Sequence, residues 1–347
     1  MDDTRRTAPA DARPAAPSRA QLIAAFAAVY LIWGSTYLAI RFVVESMPPF
    51  LMASARFLVA GAGMAAWALA RGAPWPTTRM WRDAAIIGTL LLLGGNGGVV
   101  WAEQFVASGI AALLVACVPL WVVVVDWVRP GGRRPTLGVV AGVLVGLVGL
   151  VLLVGPETFA GRGTHLGAAL VLIFASLSWA TGSVFSRGAS RPSSPVLGTG
   201  MQMLAGGAAL GVLALATGEP ARFEPAAVTA RAFWAWMYLL TFGSVVGFTA
   251  YVWLLRVVPA ARAATYAYVN PVVAVFLGWA LASEPITGRT LVAAAIIIGA
   301  VALITTADSA KPAAAPRAAP PPRVGGGAGG AEPAAMSAGG ARTGEAA

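Results

Sequence analysis

Charge is scarce in this 347-residue chain: only 11% of residues are charged, against 58% hydrophobic. A water-soluble globule needs no such apolar excess for its core, so the balance predicts a polytopic membrane protein. Cysteine and histidine each occur once, as Cys117 and His165. That excludes an intrachain disulfide and a cysteine-rich zinc site; Cys117, in an apolar run, reads as packing, and His165 as a solvated loop residue. No GxxxxGK[ST] phosphate loop is present, so ATP hydrolysis by the chain is not expected. The sequence offers no nucleophile with its base, no cluster of metal ligands and no paired acids inside an apolar run, which argues against a membrane-embedded enzyme. No cofactor and no metal are expected. The formal charge of +10 sits in short arginine clusters between apolar runs, without an aromatic and basic recognition module. It therefore reads as topology information and not as nucleic-acid binding.

Apolar stretches of roughly 20 residues, enough to cross ~30 Å of hydrocarbon, occur at 21–44, 49–70, 84–106, 109–128, 136–154, 166–186, 196–217, 233–255, 264–282 and 288–306. They lack the alternation of barrel strands, so helices are predicted. The first run is too long for a signal-peptide core and is kept as a helix. Eighteen Arg and Lys fall on one side of this map, tails included, and five on the other. The positive-inside bias then places both termini in the cytoplasm of a bacterial cell whose inner (plasma) membrane the chain spans. Trp75, Trp81, Trp127, Trp234 and Trp236 fall near the ends of runs, as suits the headgroup zone. Residues 1–20 and 307–347, rich in Ala, Pro and Gly, read as disordered tails.

The chain is also written twice. "LIWGSTYLAI" faces "LSWATGSVFS" and "RFLVAG" faces "QMLAGG" at one offset of 146 residues; Trp101, Pro119 and Trp127 face Trp253, Pro271 and Trp279 at 152, and Pro135 and Gly149 face Pro285 and Gly299 at 150. The halves, 21–154 and 166–306, flank a linker at 155–165 expected on the periplasmic side. Five spans per half is an odd number, so the second copy enters from the opposite side as an inverted repeat. One packing solution run in both directions yields two nearly isoenergetic states, the basis of alternating access.

The motifs "IWGSTYLAIRF", "MPP", "ARFLVAG", "GNGG", "SGIAALLVACVPL", "SWATGSVFSR" and "AYVNPVVAVFLGWALASEPIT" resemble the two EamA domains of the drug/metabolite transporter superfamily, most of all its YedA-like exporters, over about residues 22–306. The resemblance implies an all-α ten-helix bundle with a central cavity that exports small metabolites. One departure is visible: the acid that often precedes the last helix of each half is present as Glu284, but its repeat partner is Arg134.

Candidate substrate residues are Trp33, Tyr37, Asn96, Trp101, Trp179, Tyr266, Tyr268 and Asn270. Trp33 and Trp179 are repeat partners at mid-helix, Tyr37 follows Trp33 by one turn, and amphipathic rings in a cavity stack on apolar or aromatic solutes; plain packing stays an equal alternative. Pro119 and Pro271 each free a carbonyl four residues back, at Val115 and Ala267, tolerated at membrane depth where it lines a cavity or is covered by neighbours. Asn96, among Gly94, Gly95, Gly97 and Gly98, reads first as an interhelical bond. Arg56 lies ~10 Å along its helix, where a charge costs at least ~2.5 kcal/mol. Glu103 is its expected partner, either as a structural ion pair or as a pair that opens to an anion or a proton. The expected partners are thus a small-molecule substrate, a coupling proton and the lipid bilayer; a homodimer is left open, as is an uncoupled facilitator of the same fold.

Overall fold

The computed structural model describes residues 17–130, 132, 134–154, 165–258, 263, 264 and 266–309. Residues 155–164 of the linker and the expected tails at 1–16 and from 310 onward lie outside the described residues. Among the described residues ten long helices follow one another: α1 (Arg19–Val44), α2 (Pro49–Ala70), α3 (Thr78–Ala102), α4 (Ser108–Val128), α5 (Leu137–Val154), α6 (Leu166–Ser186), α7 (Pro195–Ala216), α8 (Ala230–Val257), α9 (Tyr266–Ala282) and α10 (Gly288–Ser309). Seven are long and apolar enough to cross a membrane; α5, α9 and α10 contain shorter apolar stretches at Leu137–Gly146, Val269–Ala282 and Gly288–Ala300.

The helix starts follow local chemistry. Ser18 and Gln21 form a reciprocal cap at α1 (2.9 and 3.1 Å), and Pro49 and Pro195 occupy first turns, where a missing N–H costs nothing. Thr77 accepts from the Met80 amide (3.3 Å), so α3 begins at Thr78, not at residue 84, and Arg79, Arg82 and Asp83 are helical where a loop is expected from the sequence. Helix α4 breaks at Ala116 and Cys117, and Pro119 stands in the first turn of its second part (Val118–Val128). Among the described residues three stretches are π-helical, Ala28–Ile32 in α1, Thr89–Gly97 in α3 and Leu239–Phe248 in α8; the last two start 150 residues apart, within two residues of the 152-residue register of Trp101 and Trp253.

Three pairs of repeat-equivalent helices, α2 with α7, α4 with α9 and α5 with α10, lie against one another, and end-to-end contacts show the first two pairs running antiparallel. The Glu219 carboxylate, just past the end of α7, accepts from the Phe50 and Leu51 amides at the start of α2 (3.3 and 2.7 Å). Glu284, just past α9, accepts from the Ser108 amide and hydroxyl and the Gly109 amide at the start of α4 (2.9, 2.8 and 3.3 Å). Both carboxylates satisfy orphan amides and meet the positive end of a helix. These contacts, with the Glu45–Arg231 ion pair, collect the α1–α2, α3–α4, α7–α8 and α9–α10 connections on one face, here the first face. On the opposite face Asp83 accepts from the Ser190 amide before α7 (2.8 Å). Each of these bonds joins one half of the chain to the other.

Helices α2 and α7 approach backbone to backbone. A Cβ at Gly61 would sit 2.8 Å from the Gly200 carbonyl oxygen, and one at Gly200 2.9 Å from that of Gly61. Gly206 approaches α3 equally closely, its missing Cβ 2.6 Å from the Gly88 carbonyl. Small residues at such points let apolar helices gain contact that lipid tails would otherwise provide. Trp75, Trp81, Trp127 and Trp234 are exposed. Trp236 is not a free interfacial ring: its Nε1 donates to the Met52 carbonyl (3.0 Å), linking α8 to α2. His165 is an exposed residue just before α6, as expected, and it also caps that helix: its Nδ1 accepts from the Ala168 amide (3.2 Å) and its ring stacks on Phe105.

Two substitutions test this scaffold by thermal unfolding of the purified protein. Glu284→Ala is expected to lower stability by about 1–2 kcal/mol through loss of its helix cap, while Glu224→Ala, at an exposed position, leaves it unchanged. Gly61→Leu is expected to cost about 1–3 kcal/mol or more by overpacking, and Gly63→Leu, with open space at its Cβ, far less.

Candidate functional site

Helix α1 leaves its π-helical turn at Trp33, and Tyr37 follows one turn later on the same face. Both rings border a cavity of about 80 Å³, room for several waters. It is walled from both halves: Trp33, Tyr37, Arg56, Asn96 and Val115 from the first, Trp179, Gly243, Phe248, Tyr266 and Asn270 from the second. The repeat partners Trp33 and Trp179 meet edge to face at 5.4 Å, and Trp33 also contacts Tyr251 (5.0 Å) and Tyr266 (5.3 Å). Polar tips hold the rings. Trp33 Nε1 donates to the Gly243 carbonyl (3.1 Å), Trp179 Nε1 donates to Tyr251 Oη (3.2 Å), and Tyr251 Oη shares a hydrogen bond with Ser183 Oγ (2.7 Å). The aromatic wall is thus preorganised, its edges satisfied and its faces apolar.

Arg56 is 2% exposed and borders the cavity. Among the described residues no ion pair joins it to Glu103. Its Nη2 donates instead to Asn96 Oδ1 (2.6 Å), and its guanidinium lies 4.4 Å from the centre of the Phe57 ring. The reason is depth. Arg56 is seven residues from the start of α2 on the first face, and Asn96 is seven residues short of Glu103 at that face, so the two share a level ~10 Å in. Asn96 therefore makes an interhelical bond and lines the cavity at once. Glu103 is fully buried just past α3, its carbonyl accepts from Arg41 Nη1 (2.8 Å), and neither carboxylate oxygen has a hydrogen-bond partner. An ionised carboxylate so placed bears its full desolvation cost, and a proton removes that cost.

Other expected residues divide. Asn270, 2% exposed, reaches the Tyr30 and Tyr266 carbonyls (3.1 Å each) when its amide nitrogen faces them. Pro271 lies inside α9, which runs on through it. Trp101 does not line the cavity; it packs on Phe105 (4.9 Å) near the first face. The side chain of Tyr268 lies outside the described residues. Thr36, Phe57, Phe248 and the Tyr251–Ser183 pair were not anticipated. Tyr251 stands 152 residues after Val99, its repeat equivalent, which lines the cavity.

Residues 20–155 and 166–306 each match the EamA-like transporter family. The uncharacterized inner membrane transporter YedA of Escherichia coli (strain K12) is 42% identical over 277 residues, covering 80% of this chain and 88% of that protein. The uncharacterized transporter YoaV of Bacillus subtilis (strain 168) is 26% identical over 273 residues, 78% of this chain and 91% of its own. A crystal structure of a protein 24% identical superposes with a TM-score of 0.58 over 83% of this chain and 98% of that one, a likeness of fold. Two copies of one domain, packed antiparallel around a cavity that both of them line, make this chain a member of the EamA-like transporter family.

Proposed function

We propose that the chain is a secondary transporter that exports small amphipathic metabolites, such as amino acids or drug-like solutes, across a bacterial inner membrane by alternating access. In this reading all ten helices cross the bilayer, the first face is periplasmic, and both termini are cytoplasmic. The observation that carries the proposal is the cavity shared by the halves, with Trp33 and Trp179 as paired walls and a buried Arg56 held by a neutral partner. Rings offer apolar contact, and an Arg bonded to an amide, not to a carboxylate, keeps its charge for an anionic group on the solute. Glu103 supports coupling to protons, because a buried carboxyl without a donor changes its protonation when rearrangement brings Arg41 or Arg56 nearer.

Reconstitution into proteoliposomes with a panel of amino acids and amphipathic compounds tests this. Accumulation against a gradient only when a proton gradient is imposed is the expected outcome; equilibration alone would favour an uncoupled facilitator. Arg56→Gln is expected to reduce transport of carboxylate-bearing solutes by roughly tenfold or more, as loss of one charge-assisted bond implies, with the protein still monodisperse. Glu103→Gln is expected to abolish the pH dependence while leaving exchange in place. If Glu103→Gln changes neither rate nor pH profile, the coupling role is wrong, and tags placing the termini outside the cytoplasm would refute the orientation.

A further inference from the structure

Arg187, Arg191 and Arg256 line a single cleft on the opposite face, between the end of α6 and the end of α8. Its other walls are Leu255, Val257 and Val258, so among the described residues no carboxylate borders it. Arg191 folds back over the end of α6, its Nη2 donating to the Arg187 carbonyl (3.2 Å). Arg256 is half-buried, and its Nε and Nη2 are shut off from solvent with no acceptor. A guanidinium keeps its charge and its five donors under all ordinary conditions, so with two nitrogens buried without acceptors Arg256 depends for hydrogen bonds on the donors it turns to the cleft. Asp83, the acid tied to the adjoining α6–α7 connection, is already committed to the Ser190 amide and to Arg82.

The repeat supplies a comparison within the same molecule. Arg187 stands 146 residues after Arg41, in the register that pairs Trp179 with Trp33. Around Arg41 on the first face, the cleft contains Arg231 together with Glu45 and Glu284. There, acids of the chain balance the arginines. At the equivalent place on the opposite face three arginines gather with no acid among the described residues, which leaves their donors open to an anionic ligand.

We propose that the Arg187, Arg191 and Arg256 cleft is a binding site for a phosphate oxyanion. Arginine forks match the paired oxygens of phosphate, and the cleft lies on the face that the proposed orientation puts at the cytoplasmic headgroups, as suits an anionic phospholipid. Free phosphate carries the same recognising oxygens, so the experiment separates the two sources. The full-length protein is reconstituted with phosphatidylcholine and phosphatidylglycerol and examined by native mass spectrometry for retained lipid. In parallel, inorganic phosphate is titrated against thermal unfolding in detergent at constant ionic strength.

Preferential retention of phosphatidylglycerol, weakened about tenfold in both R256Q and the R187Q/R191Q double variant, is the expected result and identifies a lipid source. Stabilisation by inorganic phosphate with the same dependence on the arginines would support the oxyanion site with a free ligand. The double variant changes an exposed and a half-buried side chain, so the test survives if R256Q fails to fold. Equal lipid retention and equal phosphate response in the original protein and the double variant would overturn the proposal.

Discussion

The contact on which the rest of the structure depends is the close approach of α2 and α7, backbone against backbone at Gly61 and Gly200. In lipid there is no water to drive apolar surfaces together, so helices associate where small residues let atoms meet and where polar groups find partners. Because α2 and α7 are repeat equivalents running in opposite senses, their contact lies near the pseudo-two-fold relation of the halves. The cavity forms beside it, with α1, α3 and α8 leaning over. Symmetric scaffolding does not impose symmetric chemistry: α2 brings Arg56 to the cavity, while α7 brings Gln202 to the equivalent place, buried and with its Oε1 unpaired.

Much of this was legible in the sequence because membrane helices must satisfy their own backbones, so each apolar run has to be long, continuous and helical. The offset of 146 residues also identified Trp33 with Trp179 before their edge-to-face contact was known. What could not be read were relations between helices. The choice of Asn96 over Glu103 as partner for Arg56 depends on the relative level of α2 and α3, which follows from where Thr77 and Pro49 start them. Trp236 reads as interfacial by position, yet packing turns it inward to Met52. The π-helical stretches carry no distinguishing period in an all-apolar run, so nothing announced them.

The carboxylates reveal a division of labour. Glu219, Glu284 and Asp83 each accept from backbone amides of the other half, which ties the halves at their rims where helix ends leave donors exposed. Such bonds are local, and in the proposed alternating access they would be exchanged for water when a face opens. Glu103 differs, being fully buried with its backbone bonded and neither carboxylate oxygen holding a hydrogen bond. A group whose charge is costly in one arrangement and matched in another is what couples protonation to a change of shape. The departure at Arg134 belongs to the same asymmetry, since a cation there cannot cap a helix start as Glu284 does.

The proposed alternating access would require some helices to bend, and a bend is cheapest where the regular ladder is already interrupted. Helices α3 and α8 are π-helical in equivalent stretches that flank the cavity, a geometry that is rare and concentrated at functional sites. Their displaced carbonyls have found side-chain donors: Leu90 accepts from Ser178 Oγ (2.8 Å), Gly243 from Trp33 Nε1 and Leu239 from Ser244 Oγ (3.0 Å). Two of those donors, Ser178 and Trp33, belong to the opposite half. Flexure of α3 or α8 is therefore tied to the aromatic wall of the cavity, and in the proposed function a solute pressing on Trp33 would act on the same hydrogen bond that holds the π-helical segment of α8.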